Sequence, residues 1–229
     1  MKTLIAVPCM DYLEANFVES LLDLKKVGEC DTVLLKSSLV YDARNQAAAK
    51  AIEEKYDYVL WIDSDMTFEP DMMERMFASI GTKNMLTALC FARRPPFKPC
   101  IYKHIDVKQE GHASLPTTEV WYDYPRDKII EIEACGFACV LQKVDMLDAM
   151  LSMYGVPFFP IAGLGEDLSF CFRAKQLEIP MYADTSIKIG HIMRMSVDEN
   201  FRDNVFLGAQ APENKQETAT VSSPAASSC

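Results

Sequence analysis

The sequence lacks three features that each mark a particular class of protein. Its eight cysteines form no Cys-x-x-Cys pair, its basic residues form no long run, and its apolar runs are short and interrupted by charges. The cysteine spacing does not fit a zinc site or a disulfide framework, and the apolar runs cannot span a membrane. The apolar start of the chain is broken at Pro8, too early for a signal peptide. We therefore expect reduced cysteines and a cytoplasmic protein.

The chain also lacks the positive charge that nucleic-acid binding requires. Its 229 residues carry a formal net charge of -10, which repels nucleic-acid backbones and anionic membranes. We expect no nucleic-acid partner, although a phosphate group can bind where a metal ion or a few arginines face it. With 49% hydrophobic residues, the chain can build a full-sized core.

The N-terminal half of the sequence alternates strand and helix patterns. Apolar, strand-like runs occupy 3–7, 31–35, 58–62 and 84–91. Helical patterns lie between and after these runs, at 14–26, 43–55 and 70–80. Such alternation is typical of a parallel sheet with helices on both faces. We therefore predict an α/β fold with a mostly parallel central sheet.

After Phe91 the pattern changes to shorter strands, which predict a smaller mixed or antiparallel part. These strand patterns lie at 100–105, 119–124, 128–134 and 137–143, and a late strand is predicted at 186–193. Two helical patterns lie in the same half, at 144–154 and 165–177. Residues 209–229 contain one large aliphatic residue, Val221. We therefore predict a single domain over 1–208 and a disordered tail over 209–229.

The strand pattern "YVLWI" leads directly into Asp63-Ser64-Asp65. Side chains two residues apart on a strand point to the same face, and parallel sheets bind ligands beyond the carboxyl ends of their strands. Two converging carboxylates repel each other unless a positive charge lies between them, and Mg²⁺ or Mn²⁺ is a usual one. The alternative interpretation is that Asp63 and Asp65 only form turn and cap hydrogen bonds before the next helix.

Three further segments carry polar residues that such a sheet could bring near these aspartates. Arg44 and Asn45 lie at the start of a helix after the second strand, where a phosphate or nucleotide could bind. Glu166 and Asp167 follow two glycines at a helix start, where a carboxylate could take a proton from a hydroxyl. His191 lies in the late strand. Each has a simpler interpretation: a surface arginine and a capping asparagine, compensation of the helix dipole, and a hydrogen-bonded histidine.

In this order, the segments resemble the GT-A glycosyltransferases, in particular the large family 2 group. The resemblance runs from about Thr3 to Ile192 and rests on "LIAVP", "ARN", "WIDSD", "CGFACVL", "GEDLSFCFRAKQ" and "GHI". It implies the GT-A fold and transfer of a hexose from a nucleotide-sugar donor, such as a UDP- or GDP-sugar, to an acceptor hydroxyl. A divalent cation, Mn²⁺ or Mg²⁺, would bridge the Asp-x-Asp motif and the diphosphate of the donor.

The resemblance also implies roles for individual residues on the donor side. Asp65 would be the main metal ligand and His191 a further one. Asp63 would contact the metal or the donor ribose. Arg44 and Asn45 would lie near the nucleotide.

On the acceptor side, the resemblance implies that Asp167 is the general base of an inverting transfer, with Glu166 beside it. Arg93 and Arg94, in the loop after the fourth strand, could bind an acidic acceptor or assist the diphosphate. A solvated loop is the simpler interpretation of this pair.

One segment departs from the family pattern. Many family 2 members end the second strand with an acidic, serine-rich segment of the type Asp-Asp-Gly-Ser, whereas this chain has "LLKSSLVYDARN" there. The usual contact to the nucleotide base is therefore missing from its expected place. Pro8 and Asp11, near the end of the first strand, are further candidate contacts to the nucleotide.

Two other functions remain open from the sequence. "WIDSDMT" also matches the Asp-x-Asp-x-Thr motif of haloacid-dehalogenase-like phosphatases, with Asp63 as nucleophile, Asp65 as acid or base and Thr67 as the third residue. In that family the motif follows the first core strand, whereas two strand–helix units precede it here. The other possibility is a non-catalytic module that binds nucleotide sugars.

Overall fold

The computed structural model describes residues 1–111 and 113–203. Its strands are β1 (Lys2–Cys9), β2 (Glu29–Lys36), β3 (Tyr58–Ile62), β4 (Met66–Thr67), β5 (Met85–Leu89), β6 (Ile101–Glu110), β7 (Ala113–Val120), β8 (Ile129–Ile132), β9 (Ala134–Cys135), β10 (Cys139–Lys143), β11 (Met181–Lys188) and β12 (Gly190–His191). Its helices are α1 (Ala15–Asp23), α2 (Val40–Glu53), α3 (Met72–Ile80), α4 (Val144–Tyr154), α5 (Glu166–Gln176) and α6 (Glu199–Phe201). Within these residues, no helix combines the length and apolar character needed to cross a bilayer.

The described residues fall into two units, Met1–Ile192 and a second one that begins at Met193. All the sheets lie in the first unit. In the described part of the second unit, the Asp198 side chain caps α6 by accepting a hydrogen bond from the Phe201 backbone N–H at 2.7 Å. The domain boundary predicted after residue 208 and the disordered tail predicted over 209–229 lie outside the described residues.

The central sheet has seven strands in the order β2-β1-β3-β10-β5-β11-β8. Strands β2, β1, β3, β5 and β11 run in one direction, and β10 and β8 run in the other. A smaller antiparallel sheet, in the order β7-β6-β9, is built from residues between β5 and β10. The predicted α/β class, a mostly parallel sheet flanked by helices with a smaller antiparallel part, is confirmed.

Strand β3 shows why the central strands read as continuous apolar runs. Val59 and Trp61 pack on the face covered by α2, α4 and α5. Leu60 and Ile62 pack on the opposite face, with the buried residues of α1 and α3. Both faces of the strand are therefore covered by helices, and every position of the strand's centre has to be apolar.

The smaller sheet departs from the predicted bounds. The strand predicted over 119–124 is wrong, because β7 covers Ala113–Val120 and pairs with β6 beyond a turn at Gly111, which has a φ of +61°. Most of β7 is exposed, so it lacks the alternating apolar residues that reveal a half-buried strand.

The late strand begins earlier than the sequence predicts. Strand β11 starts at Met181 rather than at 186. The sequence pattern missed its first part because that part contains polar residues, which are buried and hydrogen-bonded. Asp184 accepts a hydrogen bond from the Ser79 hydroxyl at 2.6 Å, and the Thr185 hydroxyl donates to the Pro125 carbonyl at 2.7 Å. These polar residues mask the apolar pattern of a buried strand.

A short antiparallel pair joins the ends of β3 and β11. In it Gly190 lies opposite Thr67, His191 lies opposite Met66, and the Ile192 N–H donates to the Asp65 carbonyl at 2.8 Å. A Cβ atom on Gly190 would clash with Thr67 Oγ1, so the pairing favours glycine opposite this threonine. This pairing brings His191 beside the aspartates that follow β3.

We predict that Gly190→Ala destabilises the protein by about 1–3 kcal/mol, the usual cost of overpacking. Thr67→Ala removes the clashing hydroxyl. Adding Gly190→Ala to Thr67→Ala should therefore cost much less stability than adding it to the wild type. Urea unfolding of the three variants and the wild type measures these differences. An equal loss with and without the Thr67 side chain would show that the clash is not the cause.

Candidate active site

A pocket of about 370 Å³ opens at the edge where β1, β2 and β3 end. It brings together five residues singled out in the sequence: Pro8, Arg44, Asp63, Asp65 and Glu166. Its other lining residues were not identified from the sequence, and they are Cys9, Met10, Ser37, Ser38, Val40 and Ser64. Most of these directly follow a strand or neighbour a residue that was singled out, so the topology of a parallel sheet is the signal that could have found them.

Arg44 lies beneath this pocket, in the second turn of α2, with its side chain only 2% exposed. Its Nη2 donates to Asp63 Oδ1 at 2.7 Å, and its Nε donates to Glu166 Oε1 at 3.3 Å. Burial alone would lower the pKa of Arg44, but the nearby carboxylates of Asp63, Glu166 and Asp167 outweigh it and raise the pKa. The guanidinium is therefore always charged and is already bound to two carboxylates of the site.

Asp65 and His191 meet at the rim of the pocket. His191 Nε2 lies 3.3 Å from Asp65 Oδ2, and His191 Nδ1 lies 2.9 Å from the Phe91 carbonyl oxygen, to which it donates. Burial alone would raise the pKa of Asp65, but the hydrogen bond with His191 and the charge of Arg93 outweigh burial and lower this pKa. The same hydrogen bond raises the pKa of His191.

This arrangement fits a divalent cation. A histidine that ligates a metal through one ring nitrogen usually donates its other N–H to a carbonyl or carboxylate, as His191 does to Phe91. Among residues 1–111 and 113–203, no group of three or more His, Cys, Asp or Glu side chains could hold a metal. A cation here would therefore take Asp65 and His191 as its protein ligands and complete its shell with water and phosphate oxygens, as Mg²⁺ and Mn²⁺ do. Asp63, the other predicted ligand, is paired with Arg44.

Arg93 also binds Asp65. Its Nη1 lies 2.5 Å from Asp65 Oδ2, so the guanidinium and the histidine share one carboxylate oxygen. The sequence favoured a solvated loop for this arginine. Its place in the loop after β5, whose carboxyl end lies at the same edge of the sheet, is the signal that could have indicated the contact.

Glu166 and Asp167 begin α5, and both are partly exposed. Glu166 lines the pocket, whereas Asp167 is not among its lining residues and lies against Gly136 and Gly165. Asp167 Oδ1 accepts a hydrogen bond from the Leu168 N–H at 2.7 Å, and a Cβ atom on Gly165 would lie 2.8 Å from the same oxygen. Burial, together with the charge of Glu166, raises the pKa of Asp167 to about 6.

Two residues predicted to contact the nucleotide, Asn45 and Asp11, do not line the main pocket. The Asn45 side chain binds the main chain of Phe158, accepting from its N–H at 2.9 Å and donating to its carbonyl at 3.5 Å. Asp11 lines an adjoining pocket of about 240 Å³ with Met10, Lys36, Ser37 and Ser38. The two pockets share Met10 and both serines, so a ligand longer than the main pocket could extend towards Asp11.

Comparison with known proteins supports the fold. No protein-family model matches the chain, and no curated protein matches its sequence. Among solved structures, A197 from STIV is similar with a TM-score of 0.58 and 19% identity, over 85% of this chain and 87% of A197. GalNAc-T7, a GT-A glycosyltransferase crystallised with UDP, GalNAc and Mn²⁺, is similar with a TM-score of 0.56 and 10% identity. The chain has a GT-A fold. The match to GalNAc-T7 covers 86% of this chain and 44% of that longer one.

We predict that Asp167→Asn stabilises this GT-A domain at neutral pH. In the unfolded chain an aspartate has a pKa of about 3.9, whereas burial raises the pKa of Asp167 to about 6 in the folded protein. Between these values the folded state binds more protons than the unfolded state, so stability falls as pH rises and the loss is complete above pH 6. Asparagine removes the buried charge and should raise the melting temperature at pH 7.5 by several degrees, since each 1 kcal/mol gives about 3 °C in a protein of this size.

The control for this prediction is Asp148→Asn, which changes an exposed aspartate on α4. Melting curves of both variants and the wild type are recorded at pH 4 and pH 7.5. The gain from Asp167→Asn should disappear near pH 4, where the wild-type carboxyl is already protonated. The same gain at both pH values would show that the charge of Asp167 is not its source.

Proposed function

We propose that this protein is a metal-dependent glycosyltransferase that moves a sugar from a nucleotide-diphosphate donor to an acceptor hydroxyl. The observation that carries the proposal is the convergence of Asp65 and His191 beside a pocket at the carboxyl end of a mostly parallel sheet. The GT-A fold supports it, since a similar structure, GalNAc-T7, was crystallised with UDP, GalNAc and Mn²⁺.

The donor, a UDP- or GDP-sugar, would occupy the main pocket. Its diphosphate would lie beside Asp65 and His191, and its nucleoside would extend along Pro8, Ser37 and Ser38. Mn²⁺ or Mg²⁺ held by Asp65 and His191 would neutralise the charge that builds up on the leaving diphosphate. Asp63, held by Arg44, would keep a second carboxylate facing the donor without adding net negative charge.

Asp167 is the proposed general base, with Glu166 beside it. The acceptor oxygen attacks the anomeric carbon, the bond between that carbon and the diphosphate oxygen breaks, and the hydroxyl proton passes to the Asp167 carboxylate. Because attack and departure take place on opposite sides of the anomeric carbon, the transfer inverts its configuration. A pKa of about 6 suits this role, since such a carboxylate is ionised at neutral pH and still basic enough to accept a proton.

The phosphatase remains the second candidate function. It would require Asp63 to attack a phosphate group, and Arg44 binds that carboxylate at 2.7 Å. An ion pair of this kind withdraws electron density from the attacking oxygen. The motif also follows the third strand of the chain, β3, rather than the first.

We also propose that the protein acts in a reducing compartment such as the cytoplasm. The seven cysteines among the described residues are free. Cys135 and Cys171 illustrate how they pack: they are buried, and the Cys135 N–H lies 3.5 Å from Cys171 Sγ. Five of the seven are small, buried core residues, and the other two, Cys30 and Cys100, are partly exposed.

We expect Asp65→Ala to abolish the Mn²⁺-dependent stabilisation of the protein by UDP or GDP, because the cation loses its carboxylate ligand. His191→Ala should weaken this stabilisation without abolishing it. Thermal-shift measurements with each nucleotide, with and without Mn²⁺, report the binding by linkage. Undiminished Mn²⁺-dependent stabilisation of Asp65→Ala would contradict the proposed metal site. Steady hydrolysis of simple phosphate esters that is lost in Asp63→Asn would favour the phosphatase instead.

We expect Asp167→Asn to lower sugar transfer by roughly two to four orders of magnitude, the usual effect of losing a general base. Donor and Mn²⁺ binding should survive, because Asp65 and His191 are unchanged. In the wild type the rate should fall as pH drops through about 6, where Asp167 becomes protonated. Glu166→Gln is the matched comparison and should lose less activity. Normal transfer by Asp167→Asn together with a large loss in Glu166→Gln would assign the base to Glu166.

A further inference from the structure

The two aspartates of the motif are neutralised in different ways. Asp63 is held by Arg44, whose side chain is 2% exposed, whereas Asp65 is held by Arg93, whose side chain is 52% exposed. A buried arginine resists the loss of its carboxylate partner, because its own charge would then be stranded in the core. An exposed pair is weak and is easily exchanged. The positive charge on Asp65 can therefore be replaced, whereas the charge on Asp63 cannot.

Arg93 binds the oxygen atom that a cation would also use. Asp65 Oδ2 lies 2.5 Å from Arg93 Nη1 and 3.3 Å from His191 Nε2. A cation bound by Asp65 and His191 through this oxygen must compete with the guanidinium. Arg93 therefore opposes cation binding as long as it remains on Asp65.

The loop that carries Arg93 allows the side chain to move while its main chain stays in place. The ends of the loop are joined by a hydrogen bond from the Ala92 N–H to the Lys98 carbonyl at 2.8 Å and by a bridge between Phe91 and Pro99. The guanidinium lies at the end of a long, exposed side chain with several rotatable bonds. Release from Asp65 thus requires a change of side-chain rotamer only.

A released Arg93 would stay close to the donor. It lines a second pocket of about 190 Å³ together with Met10, Tyr12, Glu14, Ser64 and Asp65. Three of these residues, Met10, Ser64 and Asp65, also line the main pocket, so the two pockets adjoin. A guanidinium at this position is well suited to two phosphate oxygens, because its N–H groups form a planar fork.

We propose that Arg93 is a switch residue that neutralises Asp65 when no cation is bound, and that a divalent cation releases it to bind the donor diphosphate. The proposal rests on the proposed function and specifies how the same site admits its ligands. It makes cation and donor binding cooperative, since the cation frees the arginine that the diphosphate then uses. The same substitution of Arg93 should therefore have opposite effects on the two ligands.

The first measurement is isothermal titration of Mn²⁺ alone into the wild type, Arg93→Gln and Arg94→Gln. Arg94→Gln is the matched control, because it removes one positive charge from the next position of the same exposed loop. Arg93→Gln should bind Mn²⁺ about fivefold more tightly than the control, which corresponds to the upper value of about 1 kcal/mol for an exposed ion pair. Equal affinities in the two variants would overturn the proposal.

The second measurement is titration of UDP and GDP at saturating Mn²⁺. Arg93→Gln should bind whichever nucleotide the wild type prefers about tenfold more weakly than Arg94→Gln does, the usual loss for one charged hydrogen bond. Unchanged nucleotide binding would show that released Arg93 does not reach the diphosphate, and the proposal would fail. If none of the three proteins binds Mn²⁺ with either nucleotide, the proposed function fails as well, which distinguishes the two failures.

Discussion

The buried guanidinium of Arg44 is the interaction on which the candidate site depends. It joins the carboxylate after β3 to the carboxylate that begins α5, and these residues lie 19 and 122 positions away from it in the chain. Without this charge, Asp63 and Glu166 would face each other and Asp167 in a partly buried space. Their mutual repulsion and loss of hydration would oppose folding of that edge of the sheet. A fixed positive charge thus lies in the core beneath the site, where it offsets the negative charges of Asp63 and Glu166.

The fixed charge under the pocket contrasts with the exchangeable charges at its rim. Arg44 is enclosed by Trp61 and Phe137, with its guanidinium carbon 5.8 and 5.4 Å from the two ring centroids. Arg93 and His191, in contrast, neutralise Asp65 from exposed or partly exposed positions. The proposed binding of a cation and then a diphosphate would use this division, because only weakly held partners can be exchanged for ligands.

Much of the central sheet could be predicted from the sequence, because strands covered on both faces are apolar throughout. Strand β3 was predicted with its observed bounds, Tyr58–Ile62, and helix α4 with its observed bounds, Val144–Tyr154. The β6–β7 hairpin could not be predicted to the same degree, since an exposed hairpin is not required to alternate apolar and polar residues. Asn45 shows the same limit at the site: helix position suggested a ligand contact, and packing instead gave its amide to the main chain of Phe158.

By itself the sequence determined that two carboxylates follow a buried strand and that two more begin a helix, because local periodicity and the direction of alternating side chains are properties of short segments. Only the tertiary structure decided which of these groups meet. His191 lies 126 positions from Asp65 and reaches it because β11 pairs with β5 and β12 pairs with β4. Strand order and pairing depend on the packing of the whole sheet, and no local pattern encodes them. The partners of Asp63 and Asp65, an enclosed arginine and an exposed one, follow from that packing.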